Sequence, residues 1–592
     1  MPIAPFILLD DARAGAASDG GVARLYQAPV HIVRADTLAQ VAPALVAIRD
    51  GVARGLHAAG YLSYEAGAAF EAGLKLPDGA GPLLWFGLFA AVEEIPADTV
   101  PAMLGDPAGA WNGVPEPMID RATYDARIAQ VKALIAAGDI YQANLTYAAR
   151  VPVAGDPRAL YARLRRTAAA GYGAYIDTGT AKLLSFSPEL FFSLEQRTLT
   201  ARPMKGTARR DADPVVDAAR ATALAQDPKQ RAENLMIVDL MRNDLARVAM
   251  PGSVAVPALF EVEGYPTVHQ MVSTVTATLP PMRDAIDVIA ALFPCGSITG
   301  APKIRAMEAL AEIEGTPRGL YTGAIGRIDP DGSAMFNVAI RSLTLMPGAD
   351  HAILGVGGGI VAESTAADEW DETIAKGAFL LRGRPRFDLI ETMAFDPMHG
   401  IALLEGHLAR MRASAAQFGI AFDRHSARNE LQAATFRLTE PRKVRLLLSQ
   451  SGALAIEIAP LPPPPAVPVP VAIAPLPVSV ADFRLRHKTT DRGFYDDARL
   501  ASGAFEVAFT DPQGFLTEGS FTALFVARGD MLVTPPLARG LLPGVLRDSL
   551  LTTGRAIEGD LTPADLDNGF FIGNAVRGLI PAVVAPPRPP RL

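Results

Sequence analysis

Apolar side chains return every three or four positions over Tyr124–Ala137 and Glu233–Leu245, and the same spacing recurs in Asp368–Leu381 and Leu404–Ser414. Each stretch predicts an amphipathic helix. Between them, Lys182–Phe186, Leu190–Leu194, Ala324–Ile328 and Phe387–Met393 are short β-rich runs that predict strands. This mixture predicts an α+β architecture with large antiparallel sheets rather than regular βαβ units. No short-period repeat interrupts it, so a solenoid is not expected.

Two breaks in the pattern suggest how the chain divides. The helical run over 368–381 stops at Arg382-Gly-Arg-Pro-Arg386, a Gly/Pro/Arg stretch suited to a junction. Expected domains are therefore 1–381 and 387–592, with 382–386 as linker. Pro460–Pro470 holds seven prolines in eleven residues, which predicts an extended connector. It would separate a small subdomain, to about 459, from a larger one after it.

Length alone requires more than one core at 592 residues. Apolar residues make up 49% and charged residues 20%, the balance of a globular protein. A net charge of −8 and a pI near 5.6 argue against a nucleic-acid partner. Cys295 is the single cysteine, so no internal disulfide forms. Met1–Arg13 lacks a basic stretch before its apolar residues, and Val467–Val480 carries four prolines. Neither reads as a secretory or membrane segment, and a cytoplasmic enzyme is expected.

Chemistry enters through a few polar positions. Glu369 and Glu372 stand three apart and share a helix face, and Glu233 is expected to open another helix. Carboxylates without His or Cys suit a hard cation such as Mg²⁺. The run Gly355-Val-Gly-Gly-Gly359, expected at a strand end, lets backbone N–H groups approach an anion. Its spacing is not that of a dinucleotide loop. Arg341 offers a fork for a carboxylate and Tyr321 a hydroxyl donor. Taken singly, each of these is an ordinary surface or strand-edge residue.

Taken in order they are more specific. Gly138-Asp-Ile-Tyr-Gln-Ala-Asn-Leu-Thr146, Ser187-Pro-Glu189, Arg202-Pro-Met-Lys-Gly-Thr207, His269-Gln-Met-Val-Ser273 and Phe293-Pro-Cys-Gly-Ser-Ile-Thr-Gly-Ala-Pro-Lys303 follow one another. Together with the glutamate and glycine motifs, they resemble the chorismate-utilising family of anthranilate, isochorismate, salicylate and aminodeoxychorismate synthases. The likeness spans roughly 120–380. It implies Glu233, Glu369 and Glu372 around a Mg²⁺ that grips the ring carboxylate of chorismate. It also implies Tyr321, Arg341 and the Gly357 and Gly358 amides around the enolpyruvyl carboxylate, with His269 and Thr299 beside the ring.

Lys205 is the discriminating position of that resemblance. Anthranilate synthases carry alanine there, whereas aminodeoxychorismate synthases carry lysine. The implied chemistry uses a neutral Lys205 amine to attack C2 and expel the C4 hydroxyl, after which ammonia attacks C4 and expels the lysine. Glu189 would protonate the departing hydroxyl, which requires a raised carboxyl pKa. Members that respond to tryptophan carry a serine motif near the N-terminus. Phe6-Ile-Leu-Leu-Asp-Asp11 has acids instead, so tryptophan inhibition is not expected. No glutaminase cysteine–histidine pair is encoded, which implies a separate glutamine amidotransferase or free ammonium.

The second half carries Arg486-His-Lys-Thr-Thr490, Thr517-Glu-Gly-Ser520, Gly540-Leu-Leu-Pro-Gly-Val-Leu-Arg547 and Asn574-Ala-Val-Arg-Gly578. In this order they resemble the fold-type IV pyridoxal-phosphate enzymes, which include aminodeoxychorismate lyase and the branched-chain and D-amino-acid transaminases. The resemblance implies Lys488 as the amine that holds the cofactor aldehyde and shuttles a proton. Glu518 would pair with the pyridine nitrogen, while Arg410 and the Gly544 and Val545 amides would take the phosphate. The family's asparagine five positions after the glutamate is Ala523 here, so one hydrogen bond of that site is missing. Joining consecutive steps favours pyruvate elimination, giving 4-aminobenzoate for folate. The alternatives are an amino-acid transaminase and an inactive structural or dimerisation module. Homodimerisation through this half is expected from the family.

Overall fold

The β-rich runs at Lys182–Phe186 and Leu190–Leu194 are realised as strands Lys182–Ser187 and Leu190–Glu195, which enter two different sheets. The structure, a computed structural model, describes residues 4–13, 21–79, 81–265 and 268–586. Its chain divides into two units. The first comprises Met1–Leu104, Val114–Val151 and Tyr161–Gly383; the second comprises Gly105–Gly113, Pro152–Leu160 and Arg384–Leu592.

The first unit is built on two large sheets. One runs through Gln142–Gly155, His351–Ile360, Ser342–Leu345, Lys182–Ser187, Tyr172–Asp177 and Phe6–Asp10. The other runs through Met204–Arg209, Val268–Thr278, Thr198–Arg202, Leu190–Glu195, Ala334–Val338 and Ala324–Ile328. Representative pairs are antiparallel: Gly173 opposes Phe186, and Ala201 opposes Val275. Ile7, Tyr26 and Ile176 of the first sheet share a buried cluster with Tyr61, Trp85 and Ile325 of the second. Side chains therefore alternate between this shared core and the opposite face, as a two-residue period demands.

Helices close the outer faces. Pro228–Ala246 packs on Val268–Thr278 and Met204–Arg209 through buried Ile237, Val238, Met241 and Leu245. Such burial stabilises by about 1.5–3 kcal/mol per side chain. The helix begins earlier than expected: Asp227 accepts from the Gln230 N–H, and Pro228 occupies the first turn. Glu233 therefore lies inside the helix, not at its start, because an Asp-Pro cap needs no acid later on. Ala366–Lys376, capped by Thr365, lies against His351–Ile360 and Arg121–Ala136. Its Trp370 stacks on Tyr147 at 5.5 Å and meets Tyr124 edge-on at 5.1 Å.

The second unit has two cores. An antiparallel sheet of Gly400–Ile401, Leu389–Asp396, Arg442–Leu448 and Leu454–Pro460 is covered by helices Leu404–Phe418 and Arg424–Thr435. An eight-stranded sheet follows, in which Val469–Pro475 pairs parallel with both Glu506–Thr510 and Gly578–Val584. The proline-rich stretch joins these two layers, although its ends, Pro460 and Val469–Pro470, already belong to strands. Trp111, from the short strand Ala110–Asn112, is buried in the first of the two cores with Phe387, Phe418 and Phe483.

Candidate active sites

A cavity of about 870 Å³ opens in the first unit, and Glu189, Lys205, Glu233, Arg341, Glu369 and Glu372 all line it. Tyr321, Gly355, Gly357 and Gly359 contribute to its wall as well. The glycine run forms the C-terminal half of strand His351–Ile360, stopping one residue before the strand ends. Close approach explains its composition, not a turn: a Cβ on Gly355 would lie 2.0 Å from Cγ of Tyr321. One on Gly358 would lie 2.8 Å from Oε2 of Glu369.

Lys205 projects from strand Met204–Arg209, and its Nζ lies 3.6 Å from Glu233 Oε2. Its backbone is fixed by the Asn234 amide, which donates to the Lys205 carbonyl at 3.1 Å. Glu189 is buried, and its Oε1 accepts from the Ser297 hydroxyl at 2.6 Å. Burial pushes this carboxyl up to about 7, against the opposing pull of Ser297 and the Lys205 charge. Arg341 sits at φ 49°, in left-handed backbone. Burial pulls its pKa down, and among the described residues its guanidinium meets no carboxylate partner. A buried guanidinium in that condition suits an anionic ligand.

The three glutamates face the cavity unequally. Glu369 Oε1 accepts from Ser364 at 2.6 Å, while its Oε2 is buried without a hydrogen-bond partner. Burial, with the nearby Glu372 charge, raises the Glu369 carboxyl. Burial acts the same way on Glu372, but Lys376, at 2.8 Å, outweighs it and holds that carboxyl low. Lys376 also donates to the Gly357 carbonyl at 2.7 Å. Among the described residues, no three His, Cys, Asp or Glu side chains gather in a metal-holding group. The Lys205 and Lys376 side chains instead rest against Glu233 and Glu372. The oxygen-only donors and the orphaned Glu369 Oε2 nevertheless fit a hard divalent cation.

Three expected contacts lie off the cavity wall, since His269, Thr299 and Gly358 are not among the lining residues. The His269 ring bonds Asp217 at 2.9 Å. The Thr299 hydroxyl donates to the Gly296 carbonyl at 3.1 Å.

In the second unit Lys488 is held beside strand Leu389–Asp396, its carbonyl accepting from the Ile390 N–H at 2.9 Å. Burial first, then Arg410, pulls its amine down to about 7. Glu518 is buried and pushed up to about 7, with Arg492 and Tyr495 opposing that rise. The Tyr495 hydroxyl donates to Glu518 Oε1. Arg410 forks onto Glu391 at 2.8 and 2.6 Å and donates to the Pro543 carbonyl at 2.9 Å. The His407 ring bonds the same Glu391 at 2.6 Å. Helix Val545–Thr552 begins at Gly544 with no side-chain cap, leaving first-turn N–H groups for an anion. A half-buried amine of lowered pKa, a buried acid and an uncapped helix start fit pyridoxal phosphate. Ala523 begins strand Ala523–Arg528. The adjoining turn is held instead by buried Glu506, which accepts from Ser520 N at 2.9 Å, Phe521 N at 3.1 Å and Thr522 Oγ1 at 2.8 Å.

Ser297, Lys376, Glu391, Tyr495 and Glu506 were not singled out from sequence. Ser297 lay inside a recognised motif and Glu391 inside a recognised strand, where a lone acid among apolar residues was the available signal. Nothing in the spacing marks the others.

Fold and sites together are those of an enzyme. Residues 5–382 match the family described as chorismate binding enzyme, and residues 388–584 match amino-transferase class IV. The first match covers more than half of the sequence, and the chain belongs to the chorismate binding enzyme family. It is 46% identical over 258 residues to aminodeoxychorismate synthase component 1 of Klebsiella aerogenes, covering 44% of this chain and 57% of that one. It is 40% identical over 264 residues to anthranilate synthase component 1 of Streptomyces coelicolor, covering 44% and 51%. The chain thus spans little more than half the length of these curated relatives. Anthranilate synthase component I from Streptococcus pneumoniae superposes with a TM-score of 0.54 at 26% identity, over 61% of this chain and 92% of that chain. Among the described residues no helix is long and apolar enough to cross a membrane.

Proposed function

We propose that the first unit aminates chorismate to 4-amino-4-deoxychorismate and that the second eliminates pyruvate from it, giving 4-aminobenzoate. One observation carries the first half: a lysine amine, Lys205, opens into the same cavity as the buried acid Glu189 and the three glutamates. Similarity to anthranilate synthases is nearly as high as to aminodeoxychorismate synthases, so the side chain at this position decides between them.

Lys205 attacks C2, the double bond shifts, and the C4 hydroxyl leaves as water with the proton held on Glu189. Ammonia then adds at C4, the double bond returns, and the Lys205 amine leaves C2. Arg341 and the Tyr321 hydroxyl orient the enolpyruvyl carboxylate beside the Gly357 and Gly358 amides. Glu233, Glu369 and Glu372 would hold Mg²⁺, which supplies a positive charge for the ring carboxylate. His269 and Thr299 then act behind the wall and shape it. Ammonia comes from a separate glutamine amidotransferase.

In the second unit Lys488 would hold the pyridoxal phosphate aldehyde, with Arg410, Gly544 and Val545 at its phosphate. When bound, the cofactor is an electron sink for the carbon that loses a proton. Lys488 Nζ takes the proton from C4, Glu518 holds a charge opposite the ring nitrogen, and the surrounding burial excludes water. Domain limits of 1–381 and 387–592, a cytoplasmic location and a homodimer through the second half belong to the same reading.

The test is product identification with chorismate, Mg²⁺, ammonium and pyridoxal phosphate. 4-Aminobenzoate with equimolar pyruvate, lost in Lys205→Ala, is expected. Anthranilate would overturn the role of Lys205. Accumulating aminodeoxychorismate would overturn the lyase and leave a transaminase or an inert module, which an added 2-oxo acid separates.

A further inference from the structure

Arg484 precedes Lys488 by four positions, and its side chain is only 5% exposed. It donates to both Asp482 oxygens, at 3.0 Å to Oδ1 and 2.7 Å to Oδ2. Its Nη1 reaches Asp491 at 3.4 Å, and its guanidinium lies over Phe494 at 4.8 Å. Asp482 and Asp491 stand before and after Lys488, so one cation ties both ends of the loop that carries the amine. A third carboxylate completes the cluster from far away in sequence: Asp106 Oδ2 accepts from Arg484 Nη2 at 2.6 Å.

Asp106 belongs to Gly105–Gly113, a segment of the second unit that lies within the stretch matched to the chorismate binding family. The segment reaches the lysine loop by two further routes. A Cβ on Gly109 would lie 2.9 Å from Asp482 Oδ2, so the backbone passes directly over that buried acid. Trp111 is 2% exposed and meets Phe418 edge-on at 4.9 Å; Phe418 in turn contacts Phe483 at 5.7 Å and the His487 ring at 4.6 Å. Phe483 and His487 flank Arg484 and Lys488 within the same loop.

We propose that Gly105–Gly113 is a strap for the second site, with Asp106 and Trp111 positioning residues that act on Lys488 through Arg484 and Phe418. Lys488 itself touches none of them. The charged groups acting on it come from elsewhere: Arg410 and Glu391, Arg445, and Arg492. The strap's contribution is to keep the loop closed so that the amine stays out of water. This rests on the role given to Lys488 above, but its test does not need the cofactor.

The full chain, without added cofactor, is labelled with trace acetic anhydride from pH 5 to pH 11, and the Lys488 peptide is quantified by mass spectrometry. Wild type should reach half-maximal reactivity near pH 7, the value set by burial. In Gly109→Ala, which keeps every charge and pushes on Asp482, and in Asp106→Ala, the midpoint should rise by at least about one pH unit toward the ordinary value of about 10.4. Asp106→Glu should restore it. Unchanged midpoints in both variants overturn the proposal, and so does a wild-type midpoint near 10. A wild type that labels near pH 7 yet takes up no pyridoxal phosphate leaves the strap standing and removes the cofactor reading instead.

Discussion

Glu189 offers the sharpest test of the amination chemistry, because an acid catalyst must carry its proton. With the carboxyl near 7, the ratio of wild-type to Glu189→Gln turnover, in which the ionisation of the Lys205 nucleophile cancels, should be level below that pH and fall about tenfold for each further pH unit, as the protonated fraction does. Ammonia itself becomes more available as pH rises, so the assay must hold unprotonated ammonia constant and follow chorismate loss. Glu189→Gln cannot give up a proton, so at low pH it should fall below wild type by about 10²–10⁴, the usual worth of a general acid. Ser297 supplies an internal control. Its hydroxyl donates to Glu189 at 2.6 Å, and a hydrogen bond to a charged group contributes about 1.5–3 kcal/mol. At about 1.4 kcal/mol per pH unit, Ser297→Ala should carry the limb up by roughly one to two units. A ratio that stays level to pH 9 would refute the assignment.

Three other outcomes follow from packing and charge. Gly355→Ala places a methyl 2.0 Å from the Tyr321 ring; overpacking of about 1–3 kcal/mol should displace the ring and raise KM for chorismate roughly tenfold, read by steady-state kinetics. Trp370→Ala removes the stack on Tyr147 from the helix that bears Glu369 and Glu372. It should cost about 2 kcal/mol in thermal unfolding and raise the Mg²⁺ concentration for half-maximal activity. Glu518 is lifted from 4.5 to about 7, so its contribution to stability is present below pH 4.5 and lost as pH rises through 7. In the cofactor-free chain Glu518→Gln should therefore match wild type near pH 5 and exceed it by about 3 kcal/mol at pH 8. Equal melting curves at both pH values would count against the burial of that acid.

Much of the fold was readable from short apolar runs. The strands at Lys182–Phe186, Leu190–Leu194 and Ala324–Ile328 show it, because strands buried on both faces carry near-continuous apolar residues. Caps were readable but overlooked: Asp227-Pro228 marks the start of the helix that carries Glu233 more clearly than the glutamate does. Glycine breaks strands by default, and only the Tyr321 ring lying on Gly355 explains why it persists inside one. The lysines and acids of both sites were named from motif order. Their partners Lys376, Tyr495 and Glu506 were not, because pairing across a fold leaves no mark on spacing. No pattern in residues 105–113 or 152–160 announces that they belong with the second unit.

That last arrangement bears on how the chain is made. Asp106 and Arg484 are 378 positions apart, and Val153 accepts from Gln417 across 264. During synthesis these two short segments can pair with each other, Trp111 opposite Ala154, but they leave the ribosome long before Gln417 and Arg484 exist. Until then Trp111 lacks the Phe418 ring that covers it. The second unit is thus a late, high-contact-order product that closes only when translation is nearly done. A gene divided at residue 384 would strand those segments on a different polypeptide from the rest of the second unit.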